Sequence, residues 1–349
     1  MGTLFNRCLA VLALAGACSL PLPAMAALTE LTNLFVFGDS LSDGGNSGLL
    51  TQQAAGVVFP PFPYADGRYS NGPTAVEYLW NSYNPGSPGE FTPSLAGGTN
   101  YAIGGATTGT ANFNSVNPGV PDPLKPVFAN FGNAWQLQQF VNAVPVFNPA
   151  TSLFVVWLFP NDVFAAGAGL PAGTVPGSPG GPDVISNGIA NILTTIQTLT
   201  ALGARHFLVP NMPDLGETPA FLGDAFLSGL TAMFNLNLGQ QLTLLDQLSP
   251  AEIVQFDTAV AFNAILQDPG AYGFTNWTQG CVLNFGFGPG QCNPTNWDSW
   301  LFWDGVHPTT ATHQILGLQF AAAVPEPASI VLLAVAILVL GGLRRARQA

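Results

Sequence analysis

Ser40 and His307 are the two side chains whose settings suit nucleophilic chemistry. Ser40 follows the run Leu34-Phe35-Val36-Phe37 and the pair Gly38-Asp39. Four apolar residues of this kind read as a short strand buried on both faces, and Gly38 permits a sharp exit at its carboxyl end. In open parallel sheets that end is where ligands collect, and backbone N–H groups of the following turn can face a developing negative charge. A serine there becomes a nucleophile once a base takes its proton. Asp304-Gly305-Val306-His307 offers the base. A carboxylate three residues before a histidine, in a loop containing glycine, can accept from imidazole Nδ1–H and leave Nε2 facing outward. Of the three histidines, His313 falls in an expected helix and His206 starts a strand beside Arg205, so the choice of base is nearly forced. Ordinary turns, with Ser40 or Ser42 capping a helix and Asp304 capping a loop, use the same residue types. What favours chemistry is that the further parts are present.

Those parts need elements to hold them. Asn100-Tyr101-Ala102-Ile103 reads as a strand running into Gly104-Gly105, where a backbone N–H can approach a ligand with no Cβ in the way, although a plain turn uses the same pair. Leu153-Phe154-Val155-Val156-Trp157-Leu158-Phe159 is a buried strand ending in Pro160-Asn161-Asp162. Asn161 can donate its side-chain amide to an oxyanion, and Asp162 reads as a cap for the next segment. Strands are also expected at 206–210 and 253–257, and helices at 75–80, 135–144, 184–202, 222–248, 261–267 and 310–322. The polar stretch after Ser40 and residues 165–182 read as loops. Arg68 reads more readily as tying a loop to a neighbouring acid than as a substrate ligand. Five strand candidates alternating with helices predict an α/β fold with a doubly wound parallel sheet.

Gly38-Asp39-Ser40-Leu41, Gly104-Gly105, Asn161-Asp162 and Asp304-Gly305-Val306-His307 together resemble, in order and spacing, the blocks of the GDSL lipase/esterase family of SGNH hydrolases. The resemblance implies a three-layer α/β/α sandwich, flavodoxin-like, over a parallel sheet of about five strands, and hydrolysis of carboxylic esters with no metal or cofactor. It implies that Ser40 is nucleophile and backbone oxyanion donor, Gly105 a second backbone donor, Asn161 a side-chain donor, His307 the base and Asp304 its orienting acid. One position departs from the pattern. The family usually has glycine two residues before the asparagine, where this chain has Phe159 followed by Pro160. If that glycine serves close approach or a positive φ, Phe159 narrows the site or strains it.

The 349 residues, 48% of them hydrophobic, suffice for one large domain. Arg7, an apolar run to Leu20 and Ala24-Met25-Ala26 have the pattern of a secretory signal over residues 1–26, with a lipoprotein signal through Cys18 as the alternative. Val324-Pro325-Glu326-Pro327, an apolar run from Ile330 to Leu343 and Arg344, Arg345 and Arg347 resemble a PEP-CTERM sorting signal over 324–349, which implies transient membrane insertion and processing by an exosortase in a Gram-negative cell. A simple membrane anchor is the alternative. Either way the domain at 27–323 is expected outside the cytoplasm, at the surface, in the matrix or secreted. Cys281 and Cys292 are then an even pair in an oxidising compartment and are expected to form a disulfide. Between the end segments, Arg68, Lys125 and Arg205 stand against 18 acidic residues, about −15, so nucleic acid is an unsuitable partner. The expected substrates are lipid acyl esters or short-chain esters, with acetyl groups on an extracellular polysaccharide, or a non-catalytic matrix protein on the same scaffold, as alternatives.

Overall fold

The computed structural model describes residues 28, 30–86, 91–283, 286–287 and 292–324. The elements that position the site are β1 (Asn33–Gly38), α1 (Asn46–Ala55), α2 (Ala75–Tyr83), α3 (Asn133–Ala143), β2 (Ser152–Trp157), α4 (Pro160–Gly167), α5 (Val184–Ala201), β3 (His206–Pro210), α6 (Ala225–Leu248), β4 (Glu252–Phe256), α7 (Thr258–Gln267), β5 (Asn276–Gly280), β6 (Trp300–Phe302) and α8 (Thr310–Ala323). Strands β1 to β4 lie side by side in chain order, and every pairing is parallel.

Alternation along the strands builds two cores, since successive side chains point to opposite faces. Phe35, Phe37, Phe154, Val156, Phe207 and Val209 pack on one face with α3, α5 and α6. Leu34, Val36, Leu153, Val155, Trp157 and Leu208 pack on the other with α2, α7 and α8. With helices on both faces, β1 to β3 are apolar after their first residues, Asn33, Ser152 and His206, which is why they stand out in the sequence. Side chains cap several of the helices that cover the sheet: Asp183 accepts from Ser186 N–H before α5, Asp224 from Phe226 and Leu227 N–H before α6, and Thr74 forms a capping box with Glu77 at α2.

Two expectations need correction. The expected fifth strand is only a bridge. Residues 99–103 run beside β1, with Tyr101 N–H donating to Val36 O at 2.8 Å and Ile103 N–H to Gly38 O at 3.3 Å. On the outer side, the Asn46 amide donates to Asn100 O and Ala102 O, and Ala102 N–H donates to Asn100 Oδ1. Together with backbone pairing of Asn100 to Thr92 and Ser94, these side chains close an edge that another strand could have extended. The polar stretch after Ser40 is likewise more ordered than expected. Asp43 accepts from Gly45, Asn46 and Ser47 N–H and so starts α1. The sequence-predicted signal at 1–26, and all but Val324 of the C-terminal sorting segment with its apolar helix, lie outside the described residues. Among the described residues no helix is long and apolar enough to cross a membrane.

Candidate active site

The carboxyl end of β1 is held from the side by α3. Buried Gln136 accepts from Gly38 N–H at 2.9 Å and donates to Gly38 O at 2.7 Å. This pair of hydrogen bonds fixes the backbone on both sides of Gly38, from which the next turn departs. Asp39 tightens the turn by accepting from Leu41 N–H at 3.0 Å, and Ser42 N–H donates to Asp39 O. Ser40 Oγ then lies 2.8 Å from His307 Nε2, although 267 positions separate the two in the chain. His307 Nδ1 lies 2.7 Å from Asp304 Oδ2. Asp304 Oδ1 accepts from Val306 N–H at 2.9 Å and His307 N–H at 2.8 Å, so the loop wraps its own carboxylate. Burial alone would push the Asp304 carboxyl up, but the facing His307 and the two backbone donors outweigh it and hold it below the usual range.

Gly105 and Asn161 border the same cleft as Ser40 and His307. Gly104 N–H is already used, donating to Asp43 Oδ2 at 2.8 Å. Gly104 O accepts from the amides of Asn112 and Asn114, each at 3.0 Å. A trans peptide points C=O and N–H in opposite directions, so these amides aim the Gly105 N–H away from themselves. Gly105 needs to be glycine: its φ is +80°, and a Cβ would sit 2.4 Å from Asn112 Oδ1. Asn161 lies in the first turn of α4, and its side chain partly offsets the effect of burial on the Asp39 carboxyl. Asp162, fully buried, accepts from Thr108 N–H at 2.8 Å and Thr108 Oγ1 at 2.5 Å, which locks α4 to the turn carrying Gly105. Burial pushes Asp162 up to about 7 and Asp39 up to about 6.

Phe159 lies under this corner. Its φ of 133° is a left-side conformation that a β-carbon disfavours, so strain is present. The ring is buried in the core, stacked on Phe234 at 3.6 Å between centroids, and it does not line the cleft. Of the two consequences expected of the missing glycine, narrowing does not occur.

Other titratable residues fall away from the chemistry. Arg68 pairs with Glu77 through two bonds of 3.0 and 2.7 Å, and His206 with Glu252 at 3.1 Å. His313 accepts from Ala75 N–H, and burial, with His307 adding to it, pushes its imidazole down to about 3. Cys281 and Cys292 are bonded and pack with Tyr64, Trp300 and Trp303 beneath the Asp304 loop. Sequence reasoning missed Gln136, Asn112, Asn114, Tyr69 and Tyr64. Tyr69 packs its ring 5.2 Å from the His307 ring and accepts from the Asn114 amide, while the Tyr64 hydroxyl donates to Asp304 Oδ2. No local pattern marks these residues: Gln136 and Tyr64 act on partners 98 and 240 positions away, and Asn112 and Asn114 reach back 8 and 10 positions to Gly104 across an irregular loop.

The cleft over Ser40 is walled by Leu41, Phe113, Phe164, Pro213, Leu215 and Val306. It runs on past His307 into a second cleft bordered by Phe59, Pro60, Tyr64 and Phe221. The arrangement offers a hydroxyl beside an imidazole, donors converging from two other segments and apolar walls, which suits acyl transfer.

Comparison with known proteins agrees in extent. The model of the family described as GDSL-like Lipase/Acylhydrolase matches residues 34–320. A GDSL esterase/lipase of Arabidopsis thaliana is 28% identical over 81% of this chain and 86% of its own length. The phosphatidylcholine-sterol acyltransferase of Aeromonas hydrophila is 26% identical over 90% of this chain and 94% of its own length. Among solved structures, a catalytic mutant of an acetylxylan esterase from Geobacillus stearothermophilus aligns over 86% of this chain and 97% of that one, with a TM-score of 0.44 and 14% identity.

Proposed function

The chain belongs to the GDSL-like lipase/acylhydrolase family and is a carboxylic ester hydrolase, and from that premise we propose that it works through an acyl-enzyme on Ser40. Ser40 Oγ attacks the ester carbonyl carbon while His307 Nε2 takes its proton. Asp304 holds Nδ1–H, fixing the tautomer and stabilising the imidazolium that forms. The tetrahedral oxyanion accepts from Ser40 N–H, Gly105 N–H and the Asn161 amide. Collapse expels the alcohol, which receives the proton from His307. Water then repeats the cycle, attacking the acyl carbon with His307 as base, and Ser40 leaves as the hydroxyl.

The observation that carries this reading is the 2.8 Å contact between Ser40 Oγ and His307 Nε2, with Asp304 at 2.7 Å behind it. The apolar walls of the cleft favour an ester with a hydrocarbon part, a lipid acyl or short-chain ester. The proposal includes export and C-terminal sorting, which the terminal segments of the sequence support.

A fluorophosphonate tests the proposal directly. Wild-type protein should be modified at Ser40 with loss of p-nitrophenyl butyrate hydrolysis, Ser40→Ala should resist, and His307→Ala should react far more slowly. A wild-type protein that ignores the reagent, or a Ser40→Ala variant still labelled and active, defeats it and favours a binding protein or another nucleophile.

A further inference from the structure

Tyr64 lies 240 positions from Asp304 in sequence, yet its hydroxyl donates to Asp304 Oδ2 at 2.7 Å. That oxygen also faces His307 Nδ1 at 2.7 Å, while Oδ1 takes two backbone N–H bonds. The carboxylate therefore meets four donors, and the phenol is the one that competes with the imidazole for the same oxygen. Tyr64 is itself buried, with its ring edge-on to Trp303 at 6.1 Å and within the cluster that contains the Cys281–Cys292 bond. A side chain wedged in this way has little freedom to leave Oδ2.

We propose that Tyr64 is a positioning residue that holds the Asp304 carboxylate against His307 and, by drawing off part of its charge, sets the basicity of the imidazole. The inference rests on the Ser40–His307–Asp304 reading above. A donor on a carboxylate stabilises its negative charge, so the carboxylate does less to stabilise a neighbouring imidazolium. With the phenol present, Asp304 Oδ2 shares its charge between two donors and pulls less strongly on an imidazolium at His307. Of the other titratable groups, Tyr69 packs on the His307 ring, and Asp39 and His313 interact with it through charge; removing one hydroxyl at Tyr64 leaves them in place.

The test compares wild type and Tyr64→Phe, which keeps the ring and removes only the donor. For both, kcat/KM on p-nitrophenyl butyrate and the rate of fluorophosphonate labelling are followed against pH. The acidic limb should move up by about 0.5 pH unit in the variant, with KM little changed. In an Asp304→Asn background the carboxylate is gone, so adding Tyr64→Phe should leave the labelling rate within about twofold. Should the phenylalanine variant fold poorly, 3-fluorotyrosine at position 64 is the complementary probe, since a more acidic phenol should move the limb down. An unmoved limb in Tyr64→Phe or in the fluorinated protein, or a further loss in the Asp304→Asn background, overturns the assignment. Ser40→Ala run alongside separates the failures: if it is inert while the limb stays put, only the role of Tyr64 falls, and if it still labels, the underlying mechanism falls with it.

Discussion

Replacing Phe159 by glycine and by alanine should reverse the usual order of those two residues. The other described non-glycine residues with positive φ, Asp66, Asn130 and Val144, lie between 45° and 68°, within the left-handed helical well. Phe159 at 133° lies beyond it, in territory that suits glycine, and such a conformation costs about 1–3 kcal/mol. The buried ring outweighs that cost, since truncating a buried Phe typically loses about 3–5 kcal/mol. Both substitutions forfeit the ring and its stacking on Phe234, but Phe159→Ala keeps a β-carbon in the strained backbone and Phe159→Gly does not. Glycine's extra chain entropy costs roughly 0.5–1 kcal/mol, so the glycine variant should remain the more stable by about 1 kcal/mol. Urea unfolding followed by circular dichroism measures the difference. The neighbouring helix supplies a second arm, because a Cβ on Gly188 would sit 2.5 Å from Phe159 Cδ2 and Cε2. Gly188→Ala should destabilise the wild type by about 1–3 kcal/mol through that clash. In the Phe159→Gly background it should stabilise by about 1 kcal/mol, as alanine normally does within a helix. An alanine variant as stable as the glycine variant, or additive effects at 159 and 188, would refute the account of strain and packing.

Three further outcomes are expected. Asn161→Ala should lower kcat by roughly 10²–10³ with the circular dichroism spectrum unchanged, and an unaltered kcat removes the amide from the mechanism. Asn114→Ala leaves Gly104 O with Asn112 as its side-chain donor, so the Gly105 N–H is less firmly aimed. Its kcat should fall by about tenfold while KM stays within about twofold, and a change in KM alone would contradict that role. Asp162 and Asp39 retain protons in the folded state, up to about 7 and about 6, that the unfolded chain loses near the ordinary value of 3.8. The folded state then binds more protons in this window, so these two groups make unfolding free energy fall as pH rises from about 4 to about 7. The loss should be on the order of a few kcal/mol, and Asp162→Asn should flatten the larger part of it in denaturant titrations at pH 5 and pH 8. Asp304, held below the usual range, acts the other way and only in more acidic solution.

The amino-acid sequence by itself determined the strands at β1, β2 and β3 and the residue types at their carboxyl ends. A run such as Leu153 to Phe159 is apolar because both faces of that strand are covered, and this requirement is written locally at each position. Asp304 and His307 were legible for a related reason, since three residues of loop suffice to bring their side chains together. Only the tertiary structure decided that the segment at 99–103 ends as a bridge, with its outer edge closed by Asn46 and by the backbone at Thr92 and Ser94 from elsewhere in the chain. It alone shows that Phe159 accepts strain while turning its ring into the core, and it alone recruits Gln136, Asn112, Asn114 and Tyr64. These are ordinary polar residues in sequence, and Gln136 stands 98 positions from the glycine it grips. Periodicity records what a residue's own element buries, whereas a hydrogen bond across the chain exists only once packing has brought its two ends within about 3 Å.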